Sequence, residues 1–442
     1  MRDARPITRR GRLPRIAARG SRPLECPPPN ISELRRRERM RSVGAPGAQA
    51  NHSKRASHLK ASVAVHLEQA RNTHAWGQEK LQSVTGAVKS PPWTKPTPYV
   101  LEYTPARLDV CALPLAESAV AAARVAHAAL SASCSSSSLR VRVFEAGFFA
   151  TLHGVLADVL GAAAEHRHIV FETLSVWSGP DCKHLACYLA AGIRPCNLSK
   201  PYVESERHTV AMQGRSPSRR AAMSFDRFSH AAALMARLVV PSRWIAREMT
   251  RAKALLGWDV VQRPIIGVHV RDGDSCNSRE RAMTHRTCGG LKAFMPRVKA
   301  LAERYKVRTI FLATDGKRVI NETARYPEFK WLVLPRERFL VGAGAESEPR
   351  MEQRIASGTL DGRALALESL VDMMLLAEAD VLIGKFTSNL FRSAFELRAG
   401  RRGCVPPIVS MDAAWCFGPD HVGGENSGEV LRGRHAGETF AC

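Results

Sequence analysis

Short apolar runs alternate with helical patterns from Pro264 onward, and this alternation limits the possible folds more than any other feature of the chain. The runs Ile265–Val270 and 380–384 are rich in β-branched residues, which is typical of parallel strands buried on both faces. Residues 309–313 form a further buried run, and an amphipathic helical stripe occupies 364–379. Strands that alternate with helices predict a doubly wound α/β sheet, because each parallel strand needs a crossover connection.

A second unit of the same kind begins at Leu139. An alternating run over 139–145 is followed by Gly147, a helical pattern over 151–165 and the apolar run Ile169–Phe171. The order strand, turn, helix, strand is a βαβ unit and indicates a second parallel sheet. The sequence therefore predicts an α/β protein with three regions, which are a basic, disordered arm at 1–100, an N-terminal unit at 101–240 and a C-terminal unit at 241–442.

The positive charge of the chain is concentrated near its beginning. The chain has 65 Lys and Arg against 41 Asp and Glu, a net charge of +24. Residues 1–60 hold 16 of the basic residues and 4 of the acidic ones, which is half of that excess. A basic arm can hold nucleic acid, but this one has no aromatic residues between its charges for base stacking. We therefore favour a solvated tail over a nucleic-acid-binding arm.

The sequence predicts neither a membrane span nor a metal site. No stretch reaches 18 uncharged apolar residues. The eleven cysteines include no CxxC pair with zinc spacing. Several cysteines lie close together along the chain, as in the pairs Cys276/Cys288 and Cys404/Cys416, and both local disulfides and buried free thiols are compatible with this spacing.

Three predicted strands end in residues that could hold a nucleotide. After the first strand come His269 and Arg271, which alternation places on the same side, and an arginine can grip a phosphate with a bidentate fork. Asp315 follows the second strand and could accept hydrogen bonds from ribose hydroxyls or from the N–H edge of a guanine. The carboxyl ends of parallel strands are where such sheets bind ligands.

The third strand end is the segment Phe386-Thr387-Ser388-Asn389, directly before a helix. Thr387 or Ser388 can cap that helix, and the free N–H groups of its first turn form a phosphate cradle. Taken alone, the residues at each strand end more often have a structural role, as a salt bridge or a helix cap, than a binding role. Their placement on one sheet instead favours a nucleotide diphosphate site that has neither a Walker loop nor a G-x-G-x-x-G turn.

Four segments resemble the fucosyltransferases that use GDP-fucose, a superfamily that includes α-1,6-, Nod-factor and protein O-fucosyltransferases. Residues 265–276 resemble the first motif, which contains H-x-R, and 309–317 resemble the second, an apolar strand that ends in T-D. Residues 379–397 resemble the third, a strand that runs into F-[ST]-S-[QN] and a helix with R-x-A-[FY]-E. The turn at 147–153 is similar to the family's glycine-rich turn, and the resemblance covers roughly 139–417.

The resemblance implies a role for each matching residue. His269 would contact the nucleotide, Arg271 would neutralise the β-phosphate of the leaving GDP, and Asp315 would bind the nucleoside. The phosphates would be held by Thr387, Ser388 and Asn389. Asp274 lies at the family's carboxylate position, where it would either act as the general base or orient Arg271, and we favour the orienting role.

The general base therefore stays open among three carboxylates near the first motif, which are Asp272, Asp274 and Glu280. Two positions depart from the family pattern. Asp272 stands where many α-1,6 enzymes have a second arginine, which argues against a strict α-1,6 core enzyme. Phe149 stands where the family has a second glycine, so an inactive member of the family is an alternative to an active enzyme.

The implied activity is an inverting transfer of L-fucose from GDP-fucose to a hydroxyl of a glycan or glycoprotein. The implied fold is GT-B-like, with two Rossmann-like domains that face each other across a cleft, the C-terminal one binding the donor. No metal or other cofactor is expected, and the expected location is the Golgi or another secretory-pathway lumen. The rival interpretations are a transferase of the same fold with another sugar nucleotide, and a non-catalytic basic nucleic-acid-binding protein.

Overall fold

The computed structural model describes residues 101–111, 113–131, 139–141, 147–164, 169–171, 177, 185–190, 203–204, 224–273, 276, 289–336, 351–412 and 415. The predicted arm at 1–100 lies outside these residues, as do Asp274 and Glu280.

A six-stranded sheet forms the centre of the C-terminal half. Its strands are β1 (Leu101–Tyr103), β5 (Ile265–Val270), β6 (Thr309–Thr314), β7 (Lys330–Leu332), β8 (Val381–Gly384) and β9 (Ile408–Ser410). Their order in the sheet is β1-β9-β8-β5-β6-β7, and all neighbours are parallel except β1, which is antiparallel to β9. The mixed α/β class with a parallel sheet is confirmed.

Nine α-helices occur among the described residues. They are α1 (Glu117–Ser131), α2 (Phe148–Ala164), α3 (Ser224–Leu238), α4 (Arg243–Leu256), α5 (Met295–Tyr305), α6 (Lys317–Glu322), α7 (Met351–Ala356), α8 (Gly362–Glu378) and α9 (Asn389–Arg402). Every residue of β5, β6 and β8 is buried, because helices cover both faces of this sheet.

A smaller sheet lies in the N-terminal half. Its order is β3-β2-β4, with β2 (Leu139–Val141) parallel to both β3 (Ile169–Phe171) and β4 (Val203–Glu204). Helix α2 connects β2 to β3, as the sequence predicts. The division at 240 stays a prediction, and β1 belongs to the larger sheet although it precedes that position.

Helices α3 and α9 pack closely and join the two halves. A Cβ atom added to Gly400 of α9 would lie 1.9 Å from the carbonyl oxygen of Ala232 on α3. No side chain fits in that space, so glycine is required where the two backbones approach. On the same pair of helices, the rings of Phe228 and Phe395 stack with centroids 4.9 Å apart.

The sequence predicts a helical segment over 226–255 that Pro241 interrupts, and the structure has two helices there, α3 and α4, with Pro241 between them. Ser242 begins the second helix, where its Oγ accepts a hydrogen bond from the N–H of Ile245 at 3.4 Å. The sequence predicts a long polar loop over 336–361, and this prediction is wrong in part because α7 lies within that range.

Candidate active site

His269, the second-to-last residue of β5, lies inside the protein rather than on its surface. Its ring is 4% exposed and lies nearly parallel to that of Phe391, with centroids 6.1 Å apart. Burial, and to a lesser degree the charges of Arg271 and Lys385, lower the pKa of His269 to about 3. The imidazole is therefore neutral at physiological pH. Its Nδ1 has no hydrogen-bond partner in the part of the chain that the structure describes.

Arg271 and Asp315 come together at the ends of β5 and β6. Nη1 of Arg271 lies 2.5 Å from Oδ2 of Asp315, and the other carboxylate oxygen accepts the backbone N–H of Asp272 at 2.8 Å. A Cβ atom at Gly273 would lie 2.3 Å from Oδ2 of Asp315, so glycine is what lets this carboxylate reach β5. The ion pair orients the guanidinium, whose side chain remains 34% exposed.

Asp272 is held by Arg318 rather than by Arg271. Arg318 donates to both carboxylate oxygens, Nη2 to Oδ1 at 2.7 Å and Nε to Oδ2 at 3.1 Å. These hydrogen bonds raise the pKa of Arg318. The Asp272 side chain is 3% exposed, so it is a buried structural partner and poorly placed to take a proton from an acceptor.

Asp412, which follows β9, shapes the loop after β8. It accepts the backbone N–H of Phe386 at 2.9 Å and the hydroxyl of Thr387 at 2.5 Å. Burial raises the pKa of Asp412, while the hydrogen bond from Thr387 and the charge of Lys385 oppose that rise. The Thr387 hydroxyl is therefore committed to holding the loop in shape.

Ser388 and Asn389 stand at the start of α9. Ser388 is the N-cap residue by position, yet its side chain makes no capping hydrogen bond. The Asn389 side chain accepts from Nη2 of Arg392. The N–H groups of the first turn of α9 thus remain uncapped by Ser388, which suits an anion at this end of the helix.

Lys385 is a buried cation that sequence reasoning missed. It follows β8, and its Nζ lies 5.6 Å from the ring centroid of Phe294. Burial lowers the pKa of Lys385, and the carboxylates of Asp412 and Asp272 oppose that shift. Its position directly before the F-T-S-N segment is the sequence feature from which Lys385 could have been predicted as a site residue.

A second missed group connects the two halves of the chain. Nε2 of His153 on α2 lies 3.0 Å from Glu396 on α9, and Trp415 donates to the same carboxylate at 2.8 Å. Glu396 is fully buried. Glu396 is the glutamate of the R-x-A-F-E pattern. A charged residue within an otherwise apolar helix face is the sequence feature that could have predicted its buried role.

Metal-binding groups and membrane-spanning helices are both absent from the described residues. No group of three or more His, Cys, Asp or Glu side chains is placed to hold a metal ion there. No helix in that part of the chain has the length and apolar character of a membrane span.

Residues 228–404 match the family model of the α-(1,6)-fucosyltransferase N- and catalytic domains. The chain is also 30% identical over 157 residues to an α-(1,6)-fucosyltransferase of Drosophila melanogaster, a match that spans 34% of this chain and 22% of that protein. The resemblance to fucosyltransferases predicted from the sequence is confirmed over this segment. The segment includes the ends of β5, β6 and β8, whereas Asp412 lies beyond it.

Two solved structures show a more distant likeness. POFUT1 in complex with GDP-fucose has a TM-score of 0.40 at 9% identity, over 63% of this chain and 98% of that one. A mutant of Arabidopsis thaliana FUT1 in complex with GDP has a TM-score of 0.35 at 11% identity, over 67% of this chain and 79% of that one. Because both TM-scores are below 0.5, neither likeness bears on the ligand of this chain.

Proposed function

Because residues 228–404 are related to the α-(1,6)-fucosyltransferases, we propose that this chain transfers L-fucose from GDP-fucose to a hydroxyl of a glycan or glycoprotein. One observation carries the proposal. Within that related segment, Arg271, Asp315 and the start of α9 meet at one edge of a parallel sheet, where open α/β sheets bind nucleotides.

Arg271 is the residue we assign to the leaving diphosphate. The bond between fucose and the β-phosphate breaks with its electron pair staying on the phosphate, so negative charge grows there in the transition state. A preorganised guanidinium next to that oxygen stabilises the growing charge. Asp315 supports this role by fixing one end of the guanidinium, and the N–H groups at the start of α9 add a second positive pole.

His269 would bind rather than transfer protons. With its pKa near 3, the ring stays neutral through the whole physiological range. Its buried Nδ1, which lacks a partner within the described residues, would hydrogen-bond the donor nucleotide.

The transfer would invert the sugar in one displacement. The acceptor oxygen attacks the anomeric carbon from the face opposite to the diphosphate, and a general base takes the hydroxyl proton. Asp272 is occupied by Arg318, so the other carboxylates near the first motif remain as candidates. Asp274 lies outside the described residues, and we retain for it the role of orienting Arg271 or, alternatively, of accepting the proton.

The larger architecture we propose is GT-B-like, with Rossmann-like units at 101–240 and 241–442 and the site in the cleft between them. The βαβ arrangement of β2, α2 and β3 supports a separate acceptor-side unit. We propose a location in the Golgi or another secretory-pathway lumen. Cys187 and Cys276 are both disulfide-bonded, which fits an oxidising compartment.

The experiment is a thermal-shift and calorimetric comparison of GDP, UDP, ADP and their sugars with the full chain. A ligand at 100 times its Kd stabilises the folded state by about 2.7 kcal/mol, which is a readily measured shift. We expect GDP and GDP-fucose to stabilise the wild type and the control Arg251→Ala, and to bind Arg271→Ala more weakly. Arg251 is an exposed residue of α4 paired with Glu248. Stabilisation by UDP or ADP but not by GDP would overturn the donor assignment.

A further inference from the structure

A cavity of about 450 Å³ lies between the last turns of α8 and α9 and the segment that precedes α1. Three arginines of α9 line it, Arg398, Arg401 and Arg402. These positions are spaced i, i+3 and i+4, so their side chains extend from one face of the helix. Three arginine side chains thus line one cavity.

The two carboxylates in the cavity wall are already paired. Asp109 binds Arg107 at 2.6 Å, and Glu378 binds Lys253 at 2.8 Å. Asp380 lies 3.7 Å from Nη2 of Arg398, but it also pairs with Arg263 at 3.0 Å, so these carboxylates do not fully balance the arginines of α9. The cavity keeps an excess of positive charge, which favours an anionic ligand.

Arg402 is already engaged, because its Nη2 donates to the carbonyl oxygens of Leu108 and Val110, whereas Arg398 and Arg401 retain unused donors. Nε of Arg398 is buried and lacks a hydrogen-bond partner in the part of the chain that the structure describes, while its Nη1 reaches the carbonyl oxygens of Ala377 and Glu378 at a long 3.4 Å. Among the described residues, Arg401 has neither a hydrogen-bond partner nor an ion pair. Burial lowers the pKa of Arg398, and the charges of Arg402 and Arg263 add to that shift, while the carboxylates of Asp380 and Glu378 oppose it. An added anion would further stabilise the charged guanidinium.

The cavity is separate from the proposed donor site. It lies at the C-terminal end of α9, whereas Ser388 and Asn389 stand at the start of that helix. The 14 residues of α9 span about 20 Å at 1.5 Å per residue. One small ligand cannot occupy both ends.

We propose that this cavity is a second binding site, which takes a phosphate or sulfate group carried on a sugar-sized molecule. Guanidinium groups bind tetrahedral oxyanions through paired N–H donors. The volume is within the range of about 300–1,000 Å³ typical of small-molecule sites and is larger than a lone ion needs. The proposal does not depend on the fucosyltransferase activity.

The test is calorimetric titration of the full chain with glucose 6-sulfate, glucose 6-phosphate, inorganic sulfate and glucose. Arg401→Ala is the informative variant, because Arg401 is exposed and supports no other group. Arg251→Ala, which removes an exposed arginine of α4 that does not line the cavity, is the matched control. We expect at least one sugar ester to bind, with a Kd at least tenfold weaker in Arg401→Ala and unchanged in Arg251→Ala. Binding should persist with GDP present and weaken as NaCl is raised.

Three results would overturn the site. The first is that neither sugar ester binds at millimolar concentration. The second is equal affinity in the wild type and Arg401→Ala. The third is competition by GDP, which would place the probe at the donor phosphates. If inorganic sulfate binds as tightly as glucose 6-sulfate, the cavity holds a bare ion and the sugar-sized ligand is wrong.

Discussion

Arg271→Lys is the substitution that separates a catalytic arginine from a structural one. Lysine keeps the positive charge but loses the planar fork that can hold two oxygens at once. If Arg271 stabilises the leaving diphosphate, the loss appears in the transition state and costs about 2–4 kcal/mol, the scale for removing one preorganised group. This equals a fall in turnover of about 30- to 1,000-fold.

Folding should change little in the same variant. The ion pair with Asp315 joins side chains that are 34% and 15% exposed, and lysine can still make it. Partly exposed pairs contribute at most about 1 kcal/mol, so the melting temperature should fall only slightly. The assay measures fucosyl transfer or GDP release beside thermal unfolding, with Arg251→Lys as the control. Normal turnover together with a clearly lowered melting temperature would refute the catalytic role.

Three further predictions concern other parts of the chain. The unfolded state binds more protons than a folded state in which the pKa of His269 is about 3, so stability should be lost as pH falls from about 6.5 toward 3, by up to about 5 kcal/mol. Denaturation of His269→Phe should show a flatter pH dependence, and an unchanged one would contradict the buried neutral ring. Gly400→Ala should destabilise by about 1–3 kcal/mol in urea unfolding, since its Cβ would collide with the Ala232 carbonyl, and an unchanged midpoint would show that α3 and α9 are not in close contact. Removal of residues 1–100 should leave GDP affinity unchanged in calorimetry, and loss of GDP binding would count against a dispensable arm.

The central strands were predictable because their signal is local. β5 agrees with the predicted bounds at both ends, and β6 ends one residue later than predicted. Both are buried on two faces, so they appear as unbroken runs of β-branched and apolar residues. By contrast, β1 and β9 have three residues each and pair with one another across some 300 residues of chain. Three residues carry no periodicity, and sequence reasoning missed both strands.

The meeting of the strand ends could be predicted, but the choice of partners could not. Parallel strands bring their carboxyl ends to one edge, so Arg271 and Asp315 were expected near each other. Arg271 pairs with Asp315, whereas Asp272 pairs with Arg318. This choice of partners depends on the packing of α6, which carries Arg318. Asp412 follows β9, a strand that the sequence did not predict. Its hydrogen bond to the loop after β8 therefore could not be predicted either.

The most direct test of the central claim is to incubate the full chain with GDP-fucose and follow the products by proton NMR. Water can replace an unidentified acceptor, so the assay needs no knowledge of the natural one. We expect GDP and L-fucose to appear together, the first fucose having the anomeric configuration opposite to that of the donor, and Arg271→Lys to release both at least 30-fold more slowly. Initial release with the donor's own configuration would contradict inversion, and a wild type that leaves GDP-fucose intact, with and without glycoprotein acceptors, would contradict the proposed fucosyltransferase.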